Sequence, residues 1–146
     1  MKIEVVTEAT PTVTRLISQL VSQLSTTSAT PTLDRIARIV ESSATILLVA
    51  RLEDGAYVGM LTLVLFEIPT GIRAMIEDVV VDVEHRGQGF AEMLTREALR
   101  LAQEAGARTV DLTSRPSREA ANTLYQKLGF ERRESNVYRF SFTPQQ

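Results

Sequence analysis

The chain's 146 residues, 44% hydrophobic and 23% charged, suffice for a globular protein with a real core, read as one domain over residues 1–146. A formal net charge of −2 excludes a broadly basic face, so neither nucleic acid nor an anionic membrane is expected as a partner. With no cysteine and His85 as the single histidine, a disulfide framework, a thiolate nucleophile and a Cys- or His-built metal centre are excluded as well.

Lys2–Glu8 alternates as a first strand, with Ile3, Val5 and Thr7 on one side, and lacks the apolar block of a secretory signal. No apolar run reaches the roughly 20 residues that span a bilayer, so a soluble, cytoplasmic protein is expected. Thr10-Pro11-Thr12 opens a helix carrying Val13, Leu16, Ile17, Leu20, Val21 and Leu24 at helical spacing. Small polar residues from Ser25 to Thr32 make a loop, and Leu33, Ile36, Ile39 and Val40 stripe a second helix. Ala44–Leu52 and Tyr57–Phe66 read as two strands of a hairpin closed by Glu53-Asp54-Gly55. After Pro69-Thr70-Gly71, Ile72–Val83 is a third strand in this run.

The following helix is expected to bury Leu94, Ala98, Leu101, Ala102 and Ala105 and to stop at Gly106. Thr109–Thr113 is a short strand, Ser117–Leu128 a helix ended by Gly129, and Phe130–Arg133 with Val137–Phe142 a final hairpin. The hairpins make the early sheet antiparallel, whereas the strand–helix–strand passage from Val79 to Val110 demands a parallel crossover. The expectation is an α/β fold with a mixed sheet flanked by helices.

Ile76–Ala91, reading IEDVVVDVEHRGQGFA, is the stretch around which the chain is organised. A β-branched strand passes through Arg86-Gly87-Gln88-Gly89 into a helix, an order that offers helix N-terminal amides to an anion. Small residues at Gly87, Gly89 and Ala91 let a ligand approach the main chain. A dinucleotide-binding fold fits poorly, since the third glycine is missing and the strand comes mid-chain. His85 reads as a solvent-exposed spacer before the turn.

Arg86-x-x-Gly89-x-Ala91, following EDVVV, and Asn122-Thr123-Leu124-Tyr125-Gln126-Lys127-Leu128-Gly129-Phe130 together closely resemble the GNAT family of acyl-CoA-dependent N-acyltransferases, over Ile72–Phe130. The resemblance implies the GNAT-like fold: a central mixed, mostly antiparallel sheet flanked by helices, with a parallel strand pair splayed at the CoA cleft. It implies acetyl-CoA as cosubstrate, no metal, and a homodimer as the common assembly. In the family the pantetheine arm pairs with main chain near Val79 and Val81, and the pyrophosphate lies on amides from Arg86 through Gly87, Gln88 and Gly89 to Ala91. Tyr125 matches the tyrosine that protonates the leaving thiolate. Glu77 corresponds to the carboxylate that serves as general base.

In an ideal strand Glu77, Val79 and Val81 share one face with Asp78 on the other, but a bulge would disturb that count and keep Asp78 in play. Water-mediated deprotonation is a third route in the family. Many members carry an asparagine seven residues before the tyrosine. Here that position is Arg118, so Asn122 is carried over as the pantetheine contact with Arg118 as a phosphate-binding alternative. IEDVVV looks like the corresponding stretch of glucosamine-6-phosphate N-acetyltransferases, which favours a small-molecule amine acceptor. Acetylation of a protein lysine or N-terminal amine is the alternative. A CoA-binding module without turnover is the reading from another class, and the presence of both Glu77 and Tyr125 speaks against it.

Overall fold

A computed structural model describes residues 1–143 as two compact units, Met1–Thr113 and a smaller one from Ser114 onward. In the first unit the elements run β1 (Lys2–Val5), α1 (Pro11–Leu24), α2 (Leu33–Glu41), β2 (Thr45–Arg51), β3 (Tyr57–Ile68), β4 (Gly71–Val81), α3 (Phe90–Glu104) and β5 (Ala107–Asp111). The five strands form one sheet in chain order, antiparallel from β1 to β4 and parallel between β4 and β5. The mixed sheet expected from the hairpin signals and the crossover is therefore present.

Local chemistry explains where the first helices start. The Thr10 hydroxyl accepts from the Val13 amide at 3.1 Å with Pro11 at the first helical position, and Thr32 caps α2 through the Arg35 amide at 3.1 Å. Strand alternation then sorts the core into two layers. Leu47, Val49, Met60 and Val80 face α1 and α2, where they pack with Ile17, Leu20 and Ile36. Leu48, Ala50, Leu61 and Leu63, of opposite parity, lie on the other face and are fully buried.

Helix α3 packs against β2, β3, β4 and β5, burying Phe90, Leu94, Ala98 and Ala102 as a ridge of every fourth residue, together with Thr95. Leu101 and Ala105, expected in that stripe, fall outside it, because a four-residue ridge leaves them on its flanks. Gly59 lets the helix come this close: a Cβ there would stand 3.1 Å from Leu94 Cδ1 and 3.4 Å from the Val80 carbonyl oxygen.

The second unit contains α4 (Glu119–Lys127). Residues 130–143 form neither helix nor strand, so the expected hairpin of Phe130–Arg133 with Val137–Phe142 is not formed. Its aromatic alternation signals fit to a pleated, half-covered surface, and a strand exists only with a ladder partner. Among the described residues these side chains have no such cover, with Val137, Tyr138, Phe140 and Phe142 between 75% and 88% exposed.

Candidate active site

The first unit builds its site where β4 outruns β5. Their ladder ends at the rung Met75–Asp111, while β4 continues through Ile76–Val81 with no β5 partner among the described residues. An ion pair marks the last rungs, Arg73 donating to Asp111 Oδ2 at 2.8 Å, both half-exposed. The C-terminal end of a parallel pair is thus open, and main-chain groups of Val79 and Val81 lie on the strand that borders it.

A β-bulge sits in this stretch. Thr62 pairs with Glu77 and Met60 with Val80, so Asp78 and Val79 together oppose Leu61, and Asp78 takes φ +51°. Paired residues of an antiparallel ladder share a face. The ideal-strand count, with Glu77, Val79 and Val81 in line, is therefore corrected: Glu77 shares the α1 face with Val80 and Met60, whereas Val81 pairs with Gly59 on the opposite face. Both acids are exposed.

Beyond β4, residues Val83–His85 form one 3-10 turn, and the chain enters α3 through Gly87 and Gly89 at φ +78° and +87°. Both conformations are left-handed and suit glycine. A Cβ at either position would meet nothing within 4 Å, and Gly89 caps α3 without any side-chain hydrogen bond. The turn therefore presents an open space over the N-terminus of a 15-residue helix, where peptide dipoles favour an anion. These features fit a pyrophosphate. Gln88 and Ala91 lie on the same turn and first helical residues, and Glu92, an acid in the first turn, is met by Arg96 at 3.5 Å. Arg86 directs its Nε to the Val81 carbonyl at 3.2 Å, so this nitrogen braces the turn.

His85 is not the solvent-exposed spacer expected. Its Nδ1 lies 3.0 Å from Asp82 Oδ2 and its ring meets Phe90 edge-on at 6.4 Å, which leaves it half-buried. Asp82 also accepts from Gln23 Nε2 at 3.0 Å, while Gln23 Oε1 receives the Val83 amide at 2.9 Å. The Gln23 hydrogen bond is the chief cause holding the Asp82 carboxyl below the usual carboxylate range; burial opposes it, and the hydrogen bonds of His85 and the Glu84 amide add to the lowering. Sequence reading missed Asp82 and Gln23. An acid at the start of a turn was available as a capping signal, but nothing local links Gln23 to it.

In the second unit Tyr125 is buried, packs edge-on against Phe130 with ring centroids 5.7 Å apart, and has its phenol pushed up by burial, the Arg118 charge opposing. Asn122 spends both amide hydrogens on the carbonyls of Arg115 and Arg118, each at 2.9 Å, so toward a ligand it offers only Oδ1. Arg118 is the N-cap residue of α4. Among the described residues no group of three or more His, Cys, Asp or Glu side chains is arranged to hold a metal. No helix there is long and apolar enough to cross a membrane.

The model of the acetyltransferase (GNAT) family matches residues 14–130, and the chain belongs to that family. It is 35% identical over 71 residues to N-alpha-acetyltransferase 30 of Schizosaccharomyces pombe, an alignment covering 49% of this chain and 47% of that protein. The chain thus spans about half the length of this curated relative. In solved structures the fold is shared with an Agrobacterium tumefaciens protein described as an acetyltransferase, at TM-score 0.85 and 21% identity, covering 97% of this chain and 100% of the other. It is shared also with an aminoglycoside acetyltransferase from an uncultured soil sample, at TM-score 0.82, 23% identity and coverage of 99% and 96%.

Proposed function

We propose that the chain acts as one acyltransferase domain over residues 1–146, moving an acetyl group from acetyl-CoA to the primary amine of a small molecule by direct attack on the thioester. The observation that carries this reading is the open β4 edge beyond Met75–Asp111, continuous with an uncapped glycine turn at the start of α3. The extended pantetheine arm is suited to a strand edge with unpaired main-chain groups, and a pyrophosphate to the amides from Arg86 to Ala91.

In the reaction a C–N bond forms as the C–S bond breaks. The amine attacks as the free base, its proton passing to Glu77, with Asp78 or ordered water as the other routes. The Val79 N–H is the donor assigned to the developing oxyanion. Tyr125 supplies the proton that the departing thiolate takes up; a phenol whose pKa is raised by burial keeps that proton at neutral pH. Asn122 Oδ1 is assigned to the cosubstrate, with Arg118 on a phosphate as the alternative contact, and a second copy of the chain is the expected partner.

The likeness of IEDVVV, residues 76–81, to the corresponding stretch of glucosamine-6-phosphate N-acetyltransferases supports a small acceptor. The likeness to N-alpha-acetyltransferase 30 favours a second reading, acetylation of a polypeptide N-terminal amine. A thiol-release assay with acetyl-CoA against aminoglycosides, amino sugars and short peptides tests both. Turnover confined to peptides would overturn the small-molecule reading. Acetyl-CoA binding with no thiol release from any amine would favour a binding module instead.

A further inference from the structure

Gln23 stands on the last turn of α1, 59 residues before Asp82 in the chain, yet its amide grips the segment leading into the glycine turn with both ends. Nε2–H donates to Asp82 Oδ1 at 3.0 Å and Oε1 accepts the Val83 N–H at 2.9 Å. Asp82 is the node of this small network. Its own amide is tied to the Val58 carbonyl of β3 at 2.8 Å, its carbonyl receives the His85 amide at 2.8 Å, and its second carboxylate oxygen meets His85 Nδ1 at 3.0 Å. Because an ionised carboxylate only accepts, His85 Nδ1 carries the proton. The His85 ring then abuts Phe90, the first residue of α3. A line of contacts therefore runs from α1 through Asp82 and His85 to the helix start.

Arg86 braces the start of the turn on the Val81 carbonyl, but the glycine portion beyond it has little to hold it. Gly87 and Gly89 carry no side chains and occupy left-handed conformations, and α3 lacks a side-chain cap. Such a segment samples many conformations unless its flanks are fixed, and ordering it on binding weakens affinity. Gln23 reaches in from outside the β4–α3 segment and fixes this flank through the Asp82 node.

We propose that Gln23 is a positioning residue for acetyl-CoA: by clamping Asp82 and Val83 it preorganises the Arg86–Ala91 turn for the pyrophosphate. This rests on the reading of that turn as the cosubstrate site. Gln23→Met keeps the length of the side chain and removes both hydrogen bonds. Gln23→Glu keeps the acceptor for Val83 but sets a carboxylate against Asp82. The double variant Gln23→Glu, Asp82→Asn exchanges donor and acceptor across the contact. The amide introduced at position 82 donates to the carboxylate introduced at position 23, and its oxygen accepts from His85, which restores the clamp.

The experiment measures acetyl-CoA affinity by calorimetry, and KM and kcat with the best amine found, on full-length variants whose melting temperatures match the parent. Gln23→Met is expected to weaken acetyl-CoA binding about three- to tenfold with kcat little changed, the scale of one or two exposed hydrogen bonds. Gln23→Glu is expected to be weaker still, and the double variant to recover most of that loss. Unchanged affinity in Gln23→Met, or a double variant no better than Gln23→Glu, would overturn the inference while leaving the site reading intact. Failure of the unmodified protein to bind acetyl-CoA would overturn the site reading and this inference with it.

Discussion

Arg86 turns its guanidinium Nε back onto the carbonyl oxygen of Val81, 3.2 Å away, across the connection between β4 and α3. The first residue of the motif thus closes the turn from inside, while Gly87 and Gly89 leave its outer side bare. Charge and main-chain access are divided between different residues of one short segment.

That division makes Gly89 the sharper target. At φ +87° any other L-residue adds left-handed strain of roughly 1–2 kcal/mol. Gly89→Glu also sets a negative charge over the helix N-terminus. Calorimetry is expected to show acetyl-CoA binding abolished in a folded Gly89→Glu protein; unchanged affinity would remove the turn from the site.

Tyr125 and Glu77 are separable by kinetics. Tyr125→Phe is expected to lower turnover by about 10²–10⁴ with acetyl-CoA affinity hardly altered. Glu77→Gln is expected to remove the low-pH limb of the pH–rate profile. A limb that persists beside a raised acceptor KM would make Glu77 a binding residue and pass deprotonation to Asp78 or water. Burial raises the Tyr125 pKa above 10.0, so its contribution to stability is complete below that pH and is lost as pH rises through the folded value.

Asp82 gives the opposite sign. Its folded pKa is lowered from 3.8, chiefly by Gln23, so the unfolded chain binds the proton more readily. The stabilisation is present above pH 3.8 and disappears as pH falls through the lower folded value. Acid titration followed by amide exchange at Val83 and His85 should show protection retained through mildly acidic pH. In Gln23→Met the loss of protection should move upward in pH; an unmoved transition would contradict the assignment of the shift.

Gly59 tests the packing of α3. Adding one methyl places it 3.1 Å from Leu94 Cδ1 and 3.4 Å from the Val80 carbonyl oxygen, so the Leu94 side chain or the strand must give by a few tenths of an ångström. Denaturant unfolding of Gly59→Ala is expected to show a loss of about 1–3 kcal/mol, the usual cost of overpacking. A neutral result would mean that Leu94 finds another rotamer without cost.

Much of this architecture is legible because it is local. Thr10-Pro11 and Thr32 announce the first two helices, acid-Gly chemistry announces the β2–β3 hairpin, and glycine spacing marks the entry to α3. What escapes depends on partners distant in sequence. The hairpin expected over Phe130–Phe142 has strand propensity without a ladder, and the Gln23–Asp82 contact joins residues 59 positions apart. The bulge at Asp78 is foreseeable only as one option, since opposition to Leu61 is a property of register rather than of residue type. Residue types and order in the candidate site are readable, but the faces those residues occupy are not.

The bulge also acts as a phase shift in the strand. Glu77 and Val80 share a face only because one extra residue lies between them, and deleting Asp78 would restore strict alternation. Held in register at Met75–Asp111, a shortened β4 would pair Val79 with Leu61 and keep Val80, now 6% exposed and packed in the α1–α2 core, opposite Met60. Asp78 is thus a residue the ladder absorbs: its loss would straighten the strand locally and leave every side chain from Val80 onward on its present face.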